Sequence, residues 1–276
     1  MIIDTHVHIG KILNFNMKKE DVLYSMEKYG IEYSIVSDCR ATEFDHHQHR
    51  LPFFLQTPQI KCLQDTVDFA RAHPDKIGAA LWMKPFSETP DDNVYKLIEE
   101  NRSLIKALKF HPFHSKIPFD GEKTEAYMEL AKVFRLPVVT HTGGSDNASC
   151  RRVYEMAKRH RDIDFVMVHM GLGTDNSEAI ELIGKLPNLY GDTTWVSMEN
   201  TIKFINKNGD DKIVFGSDSP IDGKDTYLHN KTGDRSIYQA YFNELRDLIP
   251  PESYEKLMFR NAMRLFDIKI DKCPNQ

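Results

Sequence analysis

The sequence predicts an α/β protein, a (β/α)8 TIM barrel with an extra C-terminal helix. Three observations predict it. Strand-like and helix-like stretches alternate through eight units along the chain. The polar residues able to do chemistry fall at the C-terminal ends of strands one, four, five, six and eight. In a closed barrel every such end opens on one mouth, whereas an open doubly wound sheet gathers ligands at one switch point. Finally, 276 residues sit close to the ~250 typical of one barrel. No Pro-, Gly- or Ser-rich linker divides them, so residues 1–276 are expected to form one domain.

The elements follow in order. Ile2–His8 alternates apolar and polar residues as a strand does, and Lys18–Gly30 carries Val22, Leu23, Met26 and Tyr29 at helical spacing. Tyr33–Asp38 is the second strand, and Ile60–His73 a helix stopped by Pro74. Ile77–Met83 and Ile105–His111 are strands three and four, followed by helices over Asp91–Arg102 and Lys123–Arg135. Leu136–His141 and Ile163–His169 are strands five and six, with helices over Ser149–His160 and Asn176–Lys185. Leu189–Thr193 is a weaker strand seven, with a helix near Glu199–Lys207, and Lys212–Asp218 is strand eight. Helices over Arg235–Leu248 and Ser253–Phe266 close the chain. Two long loops remain, Cys39–Gln59 and Pro220–Asp234, of a length that is usually functional or disordered.

A hydrophobic content of 41% provides for a sizeable core, and the mild net charge of -5 lacks the basic excess a nucleic-acid binder needs. Pocket charge is local, so a small anionic substrate stays compatible with it. Cys39, Cys62, Cys150 and Cys273 form no CxxC pair and suit a reducing compartment. The N-terminal MIIDTHVHIG lacks a basic stretch followed by an apolar one, and no apolar run approaches the ~20 residues of a membrane span. A cytoplasmic enzyme with a small-molecule substrate and neither nucleic acid nor membrane as partner is expected; homodimerisation is left open.

His6 and His8 end the first strand as H-x-H. Residues two apart on a strand share a face, so Asp4, His6 and His8 are expected to point together into the mouth, where two imidazoles can chelate a divalent ion. H-x-H alone occurs often without metal. The other strand ends strengthen it: THTGG brings His141, VHMG brings His169 and GSDSP brings Asp218, each after an apolar run and before a turn signal. Lys109 and His111 share a face at the end of strand four. Arg40, Trp82, Lys84 and Trp195 follow or end other strands and suit the lining of a mouth for an anionic or planar substrate, although each alone also fits a structural role. His46, His47 and His49 form a cluster in a polar loop with no partner pattern, which favours a surface role.

The DxHxH start, the THTG and VHMG strand ends, GSDSP and the closing FRNAMRLFDI segment resemble the amidohydrolase superfamily, most nearly its amidohydrolase-2 branch, from Ile3 to about Ile268. The resemblance implies that His6, His8 and His141 bind one divalent metal, zinc first and manganese second, with Asp218 approaching it from strand eight. His169 would bind a second metal or polarise the substrate. Asp218 would act on a metal-activated water as general base and later as general acid. In some branches a lysine placed like Lys109 is carboxylated and bridges two metals; in the one-metal branch Lys109 would instead receive a substrate carboxylate or phosphate. Hydrolysis of an amide, lactone or ester bond is the leading expectation, and non-oxidative decarboxylation by a similar site is the alternative. A barrel that binds without catalysis would be expected to lack Asp218, which is present.

Overall fold

The computed structural model describes residues 1–228 and 237–270. Its nine strands are β1 (Ile3–Ile12), β2 (Phe15–Met17), β3 (Tyr33–Asp38), β4 (Ile77–Trp82), β5 (Ile105–Phe110), β6 (Val138–Gly143), β7 (Phe165–Leu172), β8 (Leu189–Asp192) and β9 (Ile213–Val214). They lie in the order β2-β1-β3-β4-β5-β6-β7-β8-β9, and every pair except β1–β2 is parallel. Beyond β9 the chain runs on beside β1: the Thr5 amide donates to Phe215 O at 2.9 Å, Asp218 to His6 O at 2.9 Å and His8 to Ser219 O at 2.8 Å. Those bonds bring the eighth parallel strand against the first, as a barrel requires.

Strand interiors such as Val36, Ala79, Ala107, Leu108 and Met167 are buried, because helices cover the outer face of a parallel sheet and side chains fill the inner one. Local chemistry sets the helix ends. Asp91 caps the helix over Asp92–Glu100 by accepting from the Val94 amide at 3.0 Å, and Gly30, at φ 65°, ends the helix over Lys19–Tyr29. None of the helices among the described residues is long and apolar enough to cross a membrane.

The expected units are present, with several departures; strand eight, expected over Lys212–Asp218, is a regular strand only over Ile213–Val214. The helix expected over Lys123–Arg135 is two short ones, Glu122–Glu125 and Met128–Phe134. Tyr127, at the break, is buried and its hydroxyl bonds to Gln59 Oε1 and Glu88 O, both at 3.0 Å. The closing helices are Ile237–Phe242, Leu245–Leu248 and a helical stretch from Pro251 to Leu265 with a π turn at Lys256–Arg260; residues 235 and 236 lie outside the described residues. The loop Cys39–Gln59 is organised by two 3-10 turns, a Phe44–Arg50 bridge and buried Phe44 and Leu51. Of the loop Pro220–Asp234, residues 229–234 lie outside the described residues. β1 also overshoots the expected strand: it turns at Leu13 (φ 52°) and returns as β2 through Gly10–Met17, Lys11–Asn16 and Ile12–Phe15 pairs. This hairpin stands at the barrel mouth.

Candidate metal centre

The C-terminal strand ends enclose a cavity of about 290 Å³ that includes His6, His8, His141, His169 and Asp218 in its lining. All five are buried. Asp4 does not join them. β1 carries one extra residue against β3 between Asp4 and Val7, which breaks the alternation on which a shared face depends. The Asp4 carboxylate turns to the hydroxyls of Ser217 and Tyr227 instead, and its burial pushes its pKa up to about 7.

At the floor, His6 Nε2 lies 3.4 Å and His8 Nε2 2.9 Å from Asp218 Oδ1. Lys109 Nζ lies 3.0 Å from His6 Nε2. One ligand atom from each of His6, His169 and Asp218 falls within a 4.8 Å group. His141 stands further along the wall, its ring 4.7 Å from that of His169 and stacked on His111 at 3.9 Å.

The surrounding bonds assign the tautomers. Thr194 Oγ1 donates its one proton to Asp192 Oδ2 at 2.6 Å, so toward His6 Nδ1, 3.2 Å away, it accepts. His169 Nδ1 faces the Thr194 carbonyl at 3.2 Å, which can only accept. Ser37 Oγ donates to Val7 O at 3.4 Å and accepts from His8 Nδ1 at 2.9 Å. Each Nδ1 therefore carries the proton, and each Nε2 presents a lone pair inward. Asp192 organises this set: it also accepts the His169 amide at 2.8 Å and the Thr194 amide at 3.2 Å. Gly216 leaves room for it, because a Cβ there would stand 2.6 Å from Thr194 Oγ1 and 2.8 Å from Asp192 Oδ2.

Burial holds the rings of His6, His111 and His141 in the neutral form, with pKa values well below the ordinary one, and lowers His169 as well. It pulls Lys109 down to about 8 against the attraction of Asp218 and Asp192. The nitrogen and oxygen donors of His6, His169 and Asp218 form a mixed set of the kind that can hold a divalent metal ion. His169, Trp195 and Asp218 all have left-handed backbones (φ 66°, 56° and 67°), a conformation unusual for a bulky residue such as Trp195.

Trp82 and His111 line the cavity as stacked rings 5.2 Å apart. Trp195 donates its indole N–H to Asp218 Oδ2 at 2.9 Å. Arg40 does not reach the cavity: its guanidinium is held by Asp38 and Asp65. Lys84 is buried and donates to Thr57 O at 2.6 Å. His46, His47 and His49 are exposed on a turn that Asp45 holds through the amides of His47 and His49. The sequence reasoning did not single out Ser37, Asp192, Thr194 or Gly216. The GDTT run at the end of strand seven was the available signal for two of them.

No curated protein matches the chain in sequence. Among solved structures, 4-oxalomesaconate hydratase from Rhodopseudomonas palustris is 17% identical with a TM-score of 0.69, over 97% of this chain and 96% of that one. 5-Carboxyvanillate decarboxylase from Sphingomonas paucimobilis is 12% identical with a TM-score of 0.68, over 97% and 99%. A putative 2-pyrone-4,6-dicarboxylic acid hydrolase from Pseudomonas putida is 12% identical with a TM-score of 0.66, over 98% of each chain. At these identities the likeness shows the fold. The amidohydrolase family model, in its amidohydrolase-2 form, matches residues 3–268, and the chain belongs to that family.

Proposed function

We propose that the chain is a metal-dependent hydrolase that cleaves an amide, lactone or ester bond in a small anionic substrate. The observation that carries this reading is the convergence of the His6 and His8 Nε2 atoms on Asp218 Oδ1, with Lys109 Nζ beside them. His6, His8 and Asp218 would hold the ion, most simply one zinc or manganese, with His141 or His169 completing the set. A divalent ion there supplies Lewis acidity, polarising a substrate carbonyl and lowering the pKa of water from 15.7 toward ~7.

The protein's own groups do the rest. Asp218 takes the proton of the attacking water and returns it to the leaving group. The Trp195 bond fixes its Oδ2 and aims the carboxylate. His169, its Nδ1 proton committed to the Thr194 carbonyl, holds a ligand place through Nε2 or, once protonated there, donates to negative charge growing on the substrate. The Lys109 ammonium receives the substrate's anionic group. The buried free thiols of Cys39, Cys62 and Cys150 suit the reducing cytoplasm.

A decarboxylase is the second reading, favoured by the flat wall of Trp82, His111 and His141 rings, which suits an aromatic acid, and by the fold shared with 5-carboxyvanillate decarboxylase. The deciding experiment is a screen of lactones, amides, esters and aromatic acids with zinc- or manganese-loaded protein, with carbon dioxide trapped in parallel. Hydrolysis products without carbon dioxide support the hydrolase. Carbon dioxide release from an aromatic acid replaces it with the second reading.

A further inference from the structure

The cavity wall facing away from the floor is built by the β1–β2 hairpin. Ile12, Leu13, Phe15 and Met17 line it, and Leu172 and Ile221 continue the apolar surface around the opening. Ile12 and Met17 are buried against Cys39, Leu51 and Trp82, so the hairpin is an anchored wall that joins the aromatic one. Leu13, Phe15 and Leu172 remain 37%, 39% and 39% exposed at the rim, where apolar side chains gain nothing from water.

Charge is confined to the floor. Among the described residues that line the cavity, none is a lysine or arginine; Asp218 is the one ionised side chain, and the other polar groups are imidazoles, the Trp82 indole, the Cys39 thiol and Thr42. Lys109, its Nζ 3.0 Å from His6 Nε2 at the floor, is the cation proposed above to receive the anionic group. Among the described residues, Arg40 is committed to Asp38 and Asp65 and Lys116 to Gln48 O at 3.3 Å, and Lys11, exposed on the hairpin, does not line the cavity. Against the described residues that line the cavity, a second carboxylate at the hairpin end would face apolar groups without a counter-charge, an arrangement that costs free energy.

We infer that the substrate carries one anionic group, placed at the floor, and an uncharged apolar body that fills the space under the β1–β2 hairpin. This rests on the proposed binding of an anionic substrate beside the metal. It separates the chain's substrate from dicarboxylates: a second negative charge is selected against, and added hydrocarbon is selected for.

Isothermal titration of the zinc-loaded protein with benzoate, 4-propylbenzoate and terephthalate tests it. The three share one ring and one carboxylate and differ only at the far end. The expected result is 4-propylbenzoate about 10-fold tighter than benzoate, with terephthalate the weakest. Terephthalate binding as tightly as 4-propylbenzoate overturns the inference and leaves the proposed function standing. Failure of all three to bind removes the anion site itself, and the inference with it. Phe15→Arg places a cation on the hairpin at a half-exposed position, and melting temperature shows whether it folds. It should shift the terephthalate to 4-propylbenzoate preference about 10-fold toward terephthalate. An unchanged ratio in the folded variant, or in a Leu13→Arg variant if Phe15→Arg does not fold, would remove the hairpin as the selecting wall.

Discussion

Trp195 and Asp218 are joined side chain to side chain: the indole N–H donates to Oδ2 at 2.9 Å, while Oδ1 of the same carboxylate faces His8 Nε2 at 2.9 Å. One oxygen is thus fixed by the barrel and the other is turned to the metal-competent imidazoles. Such division suits a group that must accept a proton in one orientation.

Asp218→Asn is predicted to fold normally, keep most of its metal and lose turnover by ~100- to 10,000-fold. Asn tolerates the left-handed backbone at φ 67° and keeps one oxygen, but it accepts no proton. Steady-state rates beside metal content decide it. Activity within a fewfold of the parent would mean that Asp218 only shapes the turn.

Trp195→Phe should keep the ring and lose the donor. An N–H bond to a carboxylate stabilises its charged form, so its removal raises the Asp218 pKa and moves the acid limb of the pH–rate profile to higher pH. Hydrogen bonds to charged groups contribute roughly 1.5–3 kcal/mol, so a fall in kcat of about 10-fold or more is expected. A pH profile that does not move contradicts the positioning role.

Thr194→Val is predicted to weaken metal binding ~10- to 100-fold without unfolding the barrel. The change removes the acceptor that assigns the His6 proton to Nδ1 and leaves Asp192 with one donor fewer. Competition against a chromophoric chelator measures it. Parental affinity in a folded Thr194→Val would show that the tautomer is fixed by other means.

Lys109→Met distinguishes an anchor from a metal-bridging carbamate. With Lys109 as anchor, KM rises and metal content stays near the parent value. Loss of one of two metals in the variant would establish the carboxylated alternative and overturn the one-metal count.

Much of this was legible because barrel strands are short apolar runs that end in polar, metal-competent side chains, so THTG, VHMG and GSDSP mark their own positions. What escaped depends on distant partners. Tyr127 breaks a helix for the sake of Gln59 and Glu88, both far earlier in the chain. β2 has only three residues, too few for an alternation to register. Asp4 was expected beside His6 because alternation was assumed through a strand that in fact carries an extra residue. Arg40 looked like a mouth cation, yet Asp65, 25 residues later on the helix over Gln59–Ala72, helps to hold it away. Asp192 ends the weakest strand pattern and Thr194 follows it, and their role emerges only where β8 meets β7 and the strand-eight glycine.

Metal content bears most directly on the account. Elemental analysis of gently purified protein should find about one equivalent of a divalent ion, zinc or manganese, that a chelator removes with loss of thermal stability and that added metal restores. Protein that is metal-free as purified and gains no stability from zinc, manganese or cobalt would contradict it.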